Sequence, residues 1–119
     1  MNPKVLKELT EKTRALIGAP TCSSETKEAA KRWLDAVGTD AEAEETKKYI
    51  AELEEDIMPI DTLIAFAGSE QGISYFGAEA AAGIAAHAKE IKAAGARYCD
   101  CPACAIAEEI LRQKSEIFA

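Results

Sequence analysis

The chain has 119 residues, a formal net charge of −7 and 48% hydrophobic residues. Its length suits one domain, residues 1–119, which can bury roughly two-thirds of its unfolded surface without covalent staples. The apolar content argues against disorder, and the acidic balance against non-specific binding to nucleic acid or anionic membranes. No apolar stretch reaches the ~18 residues of a membrane span. The N-terminus, "MNPKVLKELTEKTRALIG", is charged throughout, unlike a secretory signal. A cytoplasmic location is expected.

Punctuation divides the chain into helices. Pro3 suits the first helical position, with Asn2 as its cap. Val5, Leu6, Leu9, Leu16 and Ile17 fall mostly on one face, and Gly18 and Pro20 end the helix. Ser23 or Ser24 can cap a second helix with Ala29, Ala30, Trp33, Leu34 and Val37 inward and Gly38 just past its end. Thr39 and Glu42 have the spacing of a capping box. Ala43, Thr46, Ile50, Leu53 and Ile57 then form a narrow apolar stripe. The opposite face is rich in glutamate. It reads as a solvated surface, with an acidic docking site for a basic partner as the sharper alternative.

Pro59 interrupts this pattern. "IDTLIAFAG" and "SEQGISYFG" predict two short helices, capped by Asp61 and Ser69 and stopped by Gly68 and Gly77. An alanine-rich helix follows from about Ala78 to Ala94, with Ile84, Ala88 and Ile91 inward and Gly95 closing it. A last helix starts at Pro102 and carries Ile106, Ile110, Leu111, Ile117 and Phe118. No segment alternates as a strand does. The expected fold is all-α, a single-domain helical bundle of five to seven helices with no sheet.

Chemistry concentrates in "YCDCPAC". Three of the four cysteines, Cys99, Cys101 and Cys104, stand there; the fourth, Cys22, lies in "PTCSSE". Pro102 at the first helical position makes Cys101 the N-cap and puts Cys104 one turn inside, with Cys99 in the preceding loop. A helix N-terminus carries unsatisfied N–H groups and a partial positive charge, which favour thiolates. Cys22 precedes another helix start. Should the bundle bring the two starts together, four thiolates could converge as a zinc site or hold an iron–sulfur cluster; sulfur ligands alone do not separate these. The metal ligands expected are therefore Cys22, Cys99, Cys101 and Cys104, in a structural or regulatory site without turnover.

Two other readings compete. Cys101-Pro102-Ala103-Cys104 resembles the C-P-x-C motif of glutaredoxin-like proteins, which implies a thiol–disulfide oxidoreductase with Cys101 attacking and Cys104 resolving. Those families set the motif in a βαβ context, and no strand is expected here. The chain also resembles carboxymuconolactone decarboxylase-like proteins in size, helicity and its C-x-x-C. That family places a histidine four residues after the second cysteine, where this chain has Glu108. Buried apolar cysteines are the plain alternative to both.

His87, the sole histidine, falls between Ile84 and Ile91 and reads as partly buried and hydrogen-bonded, with a substitute ligand or a proton donor to the thiols as the sharper alternative. Glu79 and Glu90 lack the paired Glu-x-x-His motifs of a di-iron bundle. No phosphate-binding loop, dinucleotide fingerprint or nucleophile elbow occurs.

The run "WLDAVGTDAEAEETKKYIAELEEDIMPIDTLIAFAGSE" and the ending "YCDCPACAIAEEIL" resemble a group of small helical proteins of anaerobic bacteria, some carrying a heat-shock, Hsp90-like label. The likeness spans most of the chain. It implies an oxygen-free cytosol, in which exposed thiolates and clusters survive, and no particular activity. A protein partner or a homo-oligomer is compatible with all these readings.

Overall fold

Asn2 begins the first helix as its spacing predicts: its side chain accepts from the Lys4 N–H at 2.8 Å, and Pro3 takes the first helical position. The structure, a computed structural model, describes residues 1–119 and is all-α, with eight helices and one isolated bridge between Pro59 and Tyr98. The chain divides into two compact units. One comprises Met1–Ile57 with Asp100–Ala119, the other Met58–Cys99.

The first unit contains α1 (Pro3–Gly18), α2 (Ser24–Ala36), α3 (Glu42–Asp56), α7 (Pro102–Arg112) and α8 (Lys114–Ile117). Val5, Leu9, Thr13 and Leu16 recur every three or four residues of α1 and form its buried stripe. Ser23 caps α2 by accepting from the Thr26 N–H at 3.2 Å. Gly38, at φ +82°, turns the chain towards α3. Helix α1 packs against α2 and α7, and α3 packs against the same two helices.

Trp33 and Tyr49 are the largest fully buried side chains, with ring centroids 5.5 Å apart. Their polar atoms are satisfied. The Trp33 indole N–H donates to Thr46 Oγ1 at 2.8 Å, and the Thr13 and Tyr49 hydroxyls bond at 2.9 Å. No buried side-chain nitrogen or oxygen lacks a partner, so this core does not incur the ~1–3 kcal/mol cost of an orphaned polar group.

The second unit contains α4 (Ile60–Ala67), α5 (Glu70–Phe76) and α6 (Ala78–Ala93). Gly72 permits the tight elbow between α4 and α5: a Cβ there would meet the Phe66 carbonyl oxygen at 1.8 Å. Helix α6 buries Ala81 and Ala88 against its neighbours. It ends in a Schellman motif, with Gly95 at φ +103° and the Ala96 N–H returning to the Ile91 carbonyl at 2.9 Å. The tail of this unit is pinned to its start. Ile60 N–H donates to Arg97 O at 2.8 Å, and Cys99 N–H to Met58 O at 2.9 Å.

Several local expectations need correction. Eight helices replace five to seven, because the last helix breaks at Gln113 and resumes as the one-turn α8. Thr39 and Glu42 do not form a capping box. Thr39 Oγ1 donates to Ala36 O and accepts from Ala41 N–H, while Glu42 accepts from Gly38 N–H, so both groups serve the turn after α2. Asp61 is not a cap: Pro59 holds that place, and Asp61 pairs with Lys92 from the second turn position. Ala43, expected in the stripe, is exposed, and the buried line of α3 is Thr46, Tyr49, Ile50 and Leu53. His87 is exposed. The buried line of α6 runs through Ala81 and Ala88 with Ile84 and Ile91 half-buried, and His87 stands beside that line.

Candidate metal centre

Residues 99–104 are built as the sequence suggests. Cys101 is the N-cap of α7, in extended conformation with φ −61° and ψ 157°, and its sulfur accepts from the Cys104 N–H at 3.4 Å. A thiol thus takes the place that serine or threonine takes at most helix starts. Pro102 forms the first turn, and Cys104 lies one turn in. Cys99 enters from the loop with its backbone N–H fixed on Met58 O.

The consequence is geometric. The sulfurs of Cys99, Cys101 and Cys104 lie within 4.8 Å of one another, and all three residues are half-buried. The three stand on six consecutive residues, so their proximity is a local property of the chain. The group could hold a metal ion. Its donors are soft sulfur, which suits zinc, cuprous copper or iron–sulfur chemistry rather than magnesium or calcium.

Cys22 stands outside this trio but beside the same helix start. The Ala103 N–H, one of the orphan donors of α7, donates to Thr21 Oγ1 at 3.1 Å. That bond draws the α1–α2 connection onto α7. Cys22 follows directly and is buried; its own N–H donates to Ala19 O and its thiol points to Ser23 O at 3.7 Å. Cys22 and Cys104 line one cavity of about 70 Å³, together with Thr21, Thr26, Asp56 and Leu16. Burial pushes the Cys22 thiol above its ordinary pKa, and the negative charges of Asp56 and Cys101 add to this against Lys27.

Sequence reasoning missed two residues here. Thr21 had no signal beyond preceding Cys22. Asp56, at the end of the acidic helix α3, accepts from Thr26 Oγ1 at 2.7 Å, and Thr26 bonds Ser23 at 2.8 Å. A hydrogen bond to Asp56, helped by burial and by the charges of Asp56 and Glu55, pushes the Glu52 carboxyl up to about 7 despite Arg32.

Glu108, where the decarboxylase-like pattern would have its histidine, is engaged by Arg112 at 2.9 Å. The glutamate face of α3 is partly neutralised, with Glu45 on Lys48 and Glu54 on Lys114. No helix is long and apolar enough to cross a membrane. No protein-family model, curated protein or solved structure matches the chain.

Proposed function

We propose that the protein binds a single thiophilic metal ion through Cys99, Cys101 and Cys104, with Cys22 as the fourth ligand and zinc as the resident ion. The observation that carries this reading is the three sulfurs within 4.8 Å of one another at a helix N-terminus. Tetrahedral zinc at ~2.3 Å from each sulfur holds them about 3.8 Å apart. The trio therefore needs to close by roughly an ångström at most, within reach of small side-chain rotations. A four-iron, four-sulfide cluster sets each thiolate on a different iron and spreads them wider, so the compact trio favours one ion. Cys22 is the natural fourth ligand because it shares the cavity of Cys104. The cytosolic, oxygen-free setting implied by the sequence resemblance would keep these thiols reduced.

One specific contact favours a second reading. The Cys104 N–H on Cys101 Sγ stabilises a Cys101 thiolate, as a dithiol oxidoreductase requires. Elemental analysis and a visible spectrum of anaerobically purified protein separate the possibilities. One zinc and no colour support the proposal. Iron with sulfide and a brown colour replace zinc by a cluster. No metal, with a reversible Cys101–Cys104 disulfide seen by mass spectrometry, replaces metal binding by the dithiol reading.

A further inference from the structure

The ligand segment owes its position to bonds that do not involve sulfur–metal contacts. Cys99 is fixed through its backbone N–H on Met58 O, and the start of α7 through Ala103 N–H on Thr21 Oγ1. Packing of α1 on α7, with Leu16 and Ile110 fully buried, closes the long stretch between Cys22 and Cys101. An ion held by Cys99, Cys101 and Cys104 adds only loops of two and three residues. The entropy that cross-linking removes from an unfolded chain grows with loop length, so the bonds to the trio contribute little to folding, and only the bond to Cys22 closes a long loop. A structural zinc site works the opposite way, supplying the folding energy of a small domain.

The ligands are also unequal. Three of the cysteines are half-buried residues on one short segment. Cys101 and Cys104 have the positive end of α7 behind them. Cys22 stands alone on another connection, buried.

We infer that this is a transfer site: the ion is exchangeable without unfolding and passes to a thiol-bearing acceptor, which enters by displacing Cys22. The inference rests on the metal-binding reading above. In the step, an acceptor thiol binds the ion as thiolate and its proton goes to the departing Cys22 sulfur. One metal–sulfur bond forms and one breaks, the ion keeps its charge, and no electron moves. Repetition at the other sulfurs completes the handover.

The test uses the full chain loaded with zinc(II). Release to a chromophoric zinc chelator is timed with and without added glutathione as the probe thiol, while global unfolding is timed by circular dichroism jumps in denaturant extrapolated to water. The expected result is release at least ~10-fold faster than unfolding, which for small domains ranges from under a second to days, with further acceleration by glutathione and an unchanged helical spectrum after release. Cobalt(II) gives the second readout: loss of the fourth sulfur changes its visible spectrum before the ion leaves. Release only at the unfolding rate, or a helical signal lost with the ion, overturns the transfer role and leaves metal binding standing. A chain that takes up neither zinc nor cobalt overturns both.

Discussion

The Thr21–Ala103 hydrogen bond is the handle on whether Cys22 belongs to the metal centre. Thr21→Val keeps the shape and β-branching of the side chain and removes only the acceptor. The Ala103 N–H at the start of α7 then loses its partner at 3.1 Å. Loss of a side-chain acceptor at a helix N-terminus costs about 0.5–2 kcal/mol. Ala103 is buried, so water replaces the hydroxyl poorly, and the upper half of that range is expected. Urea unfolding measured with a chelator present reads this cost alone. Zinc affinity by chelator competition reads whether the loosened loop carried a ligand. If Cys22 is bound, up to the same free energy appears in binding, and at ~1.4 kcal/mol per decade the affinity falls by up to about 30-fold. Cys22→Ser sets the ceiling of that loss. A Thr21→Val chain that is destabilised as expected yet binds zinc as tightly as the parent would refute the placement of Cys22 in the site.

Other perturbations test the fold that carries the centre. Gly72→Ala drives a methyl to 1.8 Å from Phe66 O and 2.6 Å from its carbonyl carbon, both backbone atoms that cannot step aside without moving α4. The expected loss exceeds ~2 kcal/mol. Hydrogen exchange should place it in residues 58–99 while α1 to α3 keep their protection; uniform loss or none would contradict the elbow argument. Burial pushes the Tyr49 phenol up to about 12. The neutral phenol is thus favoured in the folded state, so stability is intact below the unfolded pKa of about 10 and falls as pH rises towards 12, by about 3 kcal/mol over that window at ~1.4 kcal/mol per unit. Tyr49→Phe should flatten this alkaline limb in pH-dependent denaturation. At neutral pH it should cost ~1 kcal/mol, because Thr13 loses its hydroxyl partner. An alkaline limb identical in the two chains would mean that Tyr49 does not titrate as its burial requires.

Much of the fold was legible because helix ends here follow side-chain chemistry. Asn2, Ser23, Ser69 and Cys101 all cap the helices their spacing announced. The failures come where two local solutions compete for one donor. Thr39 and Glu42 have capping-box spacing, but the carbonyl end of α2 lies within reach and takes the threonine hydroxyl. Asp61 yielded to Pro59, whose fixed extended conformation already makes the turn into α4. His87 was misplaced because an alanine-rich helix carries a weak periodic signal. Small side chains on all faces leave the inward direction to packing, which chose Ala81 and Ala88.

The candidate metal centre divides in the same way. The trio of Cys99, Cys101 and Cys104 is a local motif, and its convergence follows from Pro102 starting a helix. Cys22 is a long-range question, and the bond that brings it near passes through Thr21, a residue with no motif of its own. Charge gives that division a physical consequence. Three thiolates around a divalent ion leave one net negative charge, and the N-terminus of α7 offsets roughly half a unit of it. A fourth thiolate adds another negative charge in a buried place where Lys27 is opposed by Asp56. On the proposed reading, the fourth metal–sulfur bond is the one the surroundings support least, and ligand exchange is expected to begin at Cys22.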